Sequence, residues 1–288
     1  MTKQCPNKKC DSPFSFKKDG HFRRKDDGKI IQRYRCKTCQ TRFSSATFSL
    51  ARWQKKRTIN TPLRVLLSSG VSMRRSAKIL KVNRRTVEKK LPYLGKVCAL
   101  KNQKFLESQK NLVSKAQVDD LITKENSKLK PLSVSFAVNE KTRHILAVEV
   151  ARIPAFGHLA KIAVKKYGKR KDEHKKSFLS LLQRIAPAIT EDAVIKSDKH
   201  KTYHPLIAKN LPGRTHETYK GERGCVAGQG ELKKVKFDPI FAANHACAMF
   251  RANVNRLIRK TWCTTKVPQR LRDHLEIFIF YFNTVLLH

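Results

Sequence analysis

Apolar positions recur along nearly the whole chain, and their spacing changes character about halfway. Between Thr61 and Leu91 they fall at helical intervals in short runs. Ser72 can cap a helix running to about Leu80, with Val71, Ala77 and Leu80 on its apolar side. The break Lys81-Val82-Asn83 follows, and Asn83 can cap a second helix that Pro92 ends. Residues 93–115 read as a lysine-rich, helix-like connector. From Gln117 the pattern turns to β-branched runs: QVDDLI, then LSVSFAVN and HILAVEV around the hairpin signal EKTR. A basic helix (KDEHKKSFLSLLQRIAPAI), a strand (DAVIKSDKH), a helix (YHPLIAKNLP) and a strand (RTHETYK) come next. Asp238-Pro239 suits the start of a helix to about Lys260, and a last helix covers Gln269–Leu287.

Three strands, helix, strand, helix, strand and then helices is the order of a ribonuclease-H-like α/β domain, a meander continued by crossovers. The predicted organisation is a zinc ribbon over 1–50, a helix-turn-helix over 51–95, a linker over 96–115 and the α/β domain over 116–288.

Charge adds a partner to this picture. The 288 residues hold 63 Lys+Arg and 22 Asp+Glu, a net charge of +41. Residues 1–118 carry a net +25 and residues 119–288 a net +16. Such a chain repels itself unless a polyanion neutralises it, and nucleic acid is the expected polyanion. The apolar content, 40%, excludes a disordered basic tail. No apolar run reaches the length of a membrane span and the amino-terminal residues lack a secretory pattern, so a cytoplasmic, nucleoid-associated protein is expected. In the helix pair, a second helix rich in cations suits the major groove, with Arg84, Arg85, Lys89 and Lys90 as expected phosphate or base contacts.

Four of eight cysteines cluster in sequence. Cys5 and Cys10 form one short-spaced pair, and Cys36 and Cys39 a CxxC. Between the pairs, HFRRKDDGKIIQRYRC reads as two strands around the turn DDG. Two such pairs can surround one structural Zn²⁺. His21 lies mid-loop and is a poor substitute ligand. Cys98, Cys225, Cys247 and Cys263 read as small core residues.

In the second half the carboxylates matter. Asp119 falls in the first strand and Asp198 at the carboxyl end of the fourth, strands that would be neighbours at the sheet centre. Together they can hold Mg²⁺ or Mn²⁺, two ions per site, for phosphodiester chemistry. Asp120 must point to the opposite face from Asp119.

These segments resemble transposases of short bacterial insertion sequences, of the IS-one-like type. The resemblance runs through CPNKKC…CKTC, the helix pair, VDDL, PLSVSFAV, RHILAVEVARIPAFGHLA, KKYGKRKDE and SDKHKTYHP. It is richest in GQGELKKVKFDPIFAANHACAMFRANVNRLIRKTWCTTK and HLEIFIFYFN. It implies a DDE-type catalytic domain with two divalent ions, binding of terminal inverted repeats and target DNA, strand transfer, and assembly of more than one copy on DNA. Asp119 matches the first catalytic acid and Asp198 the second. Counting back from RANVNRLIRK, the third position falls on Asn244, a neutral residue where the family has Glu. Glu231 is the nearest other carboxylate, and His245 is a less suitable hard-ion ligand. Helix spacing sets Asn244, Ala248, Arg251, Asn255 and Arg259 on one polar face, with Arg251 and Arg259 toward DNA. The alternative expectation is a DNA-binding protein with an inactive transposase-like domain.

Overall fold

The structure is a computed structural model. It describes residues 3–52, 54–220, 238–258 and 262–287. The chain divides into two compact units, Met1–Leu63 and Arg64–His288.

The first unit is built on a three-stranded antiparallel sheet of β1 (Phe16–Arg23), β2 (Ile30–Cys36) and β3 (Arg42–Ser44), in that order. The predicted turn joins β1 to β2, with Gly28 at φ 69°, where a side chain would be strained. Its apolar content is small. Phe16, Tyr34 and Phe43 meet at ring centroid distances of 5.4 Å, and Phe48 closes on Phe43 at 6.0 Å. The turn is tied down by Asp26, whose carboxylate accepts from the Arg57 guanidinium at 2.7 Å. Arg57 opens a single 3-10 turn that leads into α1 (Asn60–Ser68).

In the second unit, helices α2 (Met73–Ile79) and α3 (Arg84–Ser108) start where expected. The Ser72 hydroxyl accepts from the Arg75 amide and the Asn83 side chain from the Arg85 amide. Pro92 does not end α3, which runs on for 25 residues in all. A proline inside a helix costs about 3 kcal/mol. Burial of Leu91, Leu94 and Cys98 on the side that meets α8 (Pro268–Tyr281) offsets it, at roughly 1.5–3 kcal/mol for each large side chain. Gly95 permits the crossing: a Cβ there would lie 2.6 Å from Cβ of Asp273. The residues expected to form a linker therefore belong to this packed helix and to the start of the next strand.

That strand is β4 (Val113–Glu125), longer than its apolar core predicted, followed by β5 (Ser127–Asn139) and β6 (Ile145–Arg152) in an antiparallel meander. Helix α4 (Leu159–Tyr167), which the periodicity did not single out, precedes α5 (His174–Ile185). Then come β7 (Ile189–Asp198), α6 (Tyr203–Asn210) and β8 (Thr215–Tyr219). The mixed sheet has the order β6-β5-β4-β7-β8, with β7 parallel to both β4 and β8. Alternation along β4 sorts its residues between two cores. Ala116 and Val118 join Phe178, Leu182 and Ile207 of α5 and α6. Leu121 joins Phe136, Phe250 and Phe278, toward α7 (Phe241–Asn253) and α8. Helix α7 stops earlier than predicted because the Gly70 amide caps the Asn253 carbonyl at 2.7 Å. Asn255 thus lies beyond the helix, its amide donating to the Gly70 carbonyl.

Candidate metal centre and carboxylate site

The four clustered cysteines come from a loop (Cys5, Cys10), the end of β2 (Cys36) and the turn before β3 (Cys39). Their sulfurs all lie within 4.8 Å of one another. Cys5 and Cys39 are 3.4 Å apart and Cys10 and Cys36 3.6 Å. A tetrahedron with 2.3 Å Zn–S bonds has edges of about 3.8 Å, whereas a disulfide needs about 2.05 Å. No described cysteine is disulfide-bonded. Four thiols at this spacing cannot share one titration. The Thr41 hydroxyl and amide hold Cys39 down at about 6, while burial pushes Cys10 up to about 12. The group could hold a structural metal ion such as zinc, and among the described residues it is the one set of three or more His, Cys, Asp or Glu ligands so arranged.

The second site is on the sheet of the larger unit. Parallel pairing of β4 with β7 puts Gln117 opposite Lys196, and the same register carries Asp119 and Asp198 to one level. Both carboxylates are partly buried. Burial, then the charges of Asp198 and Asp120, push the Asp119 carboxyl up to about 7, against the opposing pull of the Asp120 amide and Arg251. The Asp120 amide donates to Asp119 Oδ1 at 2.7 Å. Asp198 Oδ1 accepts from the His200 amide at 3.0 Å.

Helix α7 closes the Asp119 side. Gln117 fixes its start, accepting from the Ala243 amide at 2.9 Å and donating to the Pro239 carbonyl at 3.0 Å. Cys247, read from sequence as an ordinary core residue, approaches Asp119 Oδ2 to 3.9 Å, and burial raises its thiol pKa strongly. Asn244 sits one turn earlier on the same helix, and its Nδ2 donates to Asp238 at 2.6 Å. Glu231 and Arg259 lie outside the described residues.

Asp120 occupies the opposite face, as alternation requires. Its carboxylate accepts from Ser133 at 2.8 Å, from Ser135, from the Tyr203 hydroxyl at 2.7 Å and from His174 Nε2. Burial alone would raise its pKa; His174 and the hydroxyls outweigh burial and hold it below the usual carboxylate range. The same bond raises His174. Sequence spacing gave no sign of this network, because its members are as far apart as Asp120 and Tyr203.

Of the expected cationic contacts, Arg84, Arg85 and Lys89 at the start of α3 are exposed, and Arg84 pairs with Glu88 at 2.6 Å. Lys90 is a correction: it is only 2% exposed and cannot reach a phosphate. It falls on the side of α3 that carries Val87, Leu91 and Leu94, because helical period puts residue 90 beside 87 and 94.

A scan against protein-family models and a search of curated proteins find no match to this chain. Among the described residues no helix is long and apolar enough to cross a membrane.

Proposed function

We propose that the chain is a DNA transposase of the DDE type, with a ribonuclease-H-like catalytic domain, acting on the terminal repeats of an insertion sequence by metal-dependent cleavage and strand transfer. The observation that carries this reading is that Asp119 and Asp198 come to one level on two adjacent parallel strands, where burial and the Asp198 charge raise the Asp119 carboxyl. The sheet order, a three-strand meander whose first strand pairs with a crossover strand, supports the same reading.

The donor set fits a hard divalent cation. Asp119 and Asp198 offer carboxylate oxygens, and the like charge that helps raise Asp119 is what a cation would relieve. When bound, Mg²⁺ or Mn²⁺ would stabilise charge on the attacking and leaving oxygens of a phosphodiester. The chain's own residues do the positioning. Arg251, close enough to Asp119 to act on its charge, supplies a cation for a phosphate beside the carboxylates. Gln117 holds α7 in place. Capped helices α2 and α3 would dock the duplex in helix-turn-helix fashion through Arg84, Arg85 and Lys89. The cysteine unit adds basic surface, with a structural zinc ribbon as its proposed form. The net charge of +41 suits nucleoid DNA as the partner, with more than one copy assembled on it.

The test is cleavage of a duplex bearing the element's terminal inverted repeat, in Mg²⁺ or Mn²⁺. Asp119→Ala and Asp198→Ala should each abolish it while retaining duplex binding. Retained cleavage in Asp198→Ala would overturn the reading. A neutral Asn244 favours the alternative, a DNA-binding protein with an inactive catalytic domain. Asn244→Glu separates the two: it should raise cleavage at limiting metal in an active site, and change nothing in a dead one.

A further inference from the structure

We propose that the groove beside Asp119 binds one unpaired nucleotide of a DNA end, with its base against Phe156 and its phosphate at Arg251 and the neighbouring lysines. The inference rests on the nucleic-acid reading above and adds to it the form of the substrate.

The groove has a volume of about 320 Å³ and is lined by Ile122, Lys124, Lys128, Phe156, Leu159 and Arg251, among others. It opens on the continuation of β4, three to five residues past Asp119, which is about 10–17 Å along the strand. Arg251 belongs to both places, since it lines the groove and its charge acts on Asp119. Phe156 is 63% exposed and Ile122 45%. Phe156 stands on the turn between β6 and α4, beside Gly157 at φ 60°. The turn is anchored on both sides, by the Ile153 amide on the Pro131 carbonyl and the Ala160 amide on the Gly157 carbonyl. The ring is therefore presented by ordered backbone.

Single exposed apolar residues are ordinary on protein surfaces. An exposed aromatic ring in a groove with an apolar floor, the four cations Lys124, Lys128, Arg251 and Arg256, and no acidic lining residue among those described is a different case. The cations require an anionic occupant. A second copy of this chain would bring another +41 to the same place, so like charge disfavours it. Duplex DNA meets cations with its phosphates but keeps the faces of its bases stacked inside. An unpaired nucleotide offers phosphate and base face together, and base–aromatic stacking tolerates any sequence.

The probe is a duplex with a short single-stranded overhang carrying 2-aminopurine, compared with the same duplex blunt-ended. Binding to the full chain is measured in chelator, so that no cleavage intervenes. The overhang duplex should bind about ten-fold more tightly, within the range of one base–aromatic stack, and the 2-aminopurine emission should change on binding. Phe156→Ala should erase that preference and the emission change while moving blunt-duplex affinity less than about two-fold, on the same stacking argument. Phe156→Trp should retain both. Equal affinity for the two duplexes overturns the proposal, as does a preference that survives Phe156→Ala. A change in oligomeric mass on Phe156→Ala with the preference intact would assign the ring to a contact between copies, and would also overturn it. The two readings fail separately. A chain that prefers the overhang but never cleaves in Mn²⁺ sinks the enzymatic reading alone, and a chain that cleaves without preference sinks this one.

Discussion

The cysteine unit and the sheet unit solve the same stability problem with different means. In residues 1–63 the buried side chains are few, chiefly Ile31, Tyr34 and Phe43 with Cys5 and Cys36, and strand β3 has three residues. A core of that size gives little stability by itself, and a metal ion, which the four cysteines could hold, would add the missing cross-link. The sheet unit has an apolar core on each face of five strands. It can therefore carry buried polar groups that the smaller unit could not tolerate. Asp119 and Asp120 show the two uses of that margin. Asp120 receives four donors and is a structural group. Asp119 is left partly buried beside like charge, which raises its carboxyl; under the proposed function a cation would relieve that charge.

The sharpest way to break this comparison is Cys36→Ser in the full chain. Structural zinc contributes folding free energy on the order of 10 kcal/mol in small domains. Loss of one thiolate should make residues 1–63 sensitive to protease and exchange their amides freely, with about one zinc per chain lost by metal analysis. The sheet unit should unfold at its parent midpoint. Protection of residues 1–63 unchanged in the variant would show that the aromatic cluster suffices.

Asp120→Ala should do the converse. It leaves His174, Tyr203, Ser133 and Ser135 without their shared acceptor, and removing one partner of a buried ionic pair costs about 3–5 kcal/mol. The urea midpoint of the sheet unit should fall accordingly, while zinc content stays the same. Asp119→Asn, one residue away, should act oppositely on stability. Without metal it removes a repelled, half-buried charge and should stabilise the sheet unit by about 1–2 kcal/mol, the usual gain where a functional group is given up. Under the proposed function it should lower cleavage at least about 100-fold, more than loss of an outer-sphere partner costs. Equal stability changes in the two variants would erase the distinction drawn between the faces.

Much of this arrangement was legible in the sequence because it rests on local signals. Caps at Ser72 and Asn83, the DDG turn and the paired cysteines are short-range and were read correctly from neighbouring residues. The placement of Asp119 and Asp120 on opposite faces follows from strand alternation alone. What escaped depends on contacts distant in sequence. Pro92 looks like a helix end until α8 packs along the far side of α3. Lys90 looks like a surface cation until tertiary packing buries its side of α3. The Gly70 cap on α7 joins residues that no spacing rule connects, and so do the partners of Asp120.

The smallest expected effect concerns His274, which sharpens the claim that only the sheet unit tolerates buried polar groups. His274 lies on α8, 2% exposed, and its Nε2 donates to the Leu67 carbonyl at 2.8 Å. Its Nδ1 is buried with no hydrogen-bond partner. Burial, reinforced by the Arg256 charge, lowers its pKa to about 4 from 6.5. A histidine lowered in this way is neutral in the fold, and the unfolded chain takes up the proton first as pH falls. Its contribution is therefore complete above pH 6.5, declines between 6.5 and 4, and is constant below. The slope is about 1.4 kcal/mol per pH unit, or about 2 kcal/mol between pH 6.5 and 5. His274→Gln keeps a donor for Leu67 without a titrating ring. The stability difference between parent and variant, followed by urea unfolding of the sheet unit, should shrink or reverse in the variant's favour by that amount as pH drops from 7 to 5. The cysteine unit's transition should not respond to the substitution at any pH. A parent–variant difference that is flat from pH 7 to 5 would mean that His274 takes up its proton in the fold as readily as in the unfolded chain, and that α8 does not hold the ring neutral.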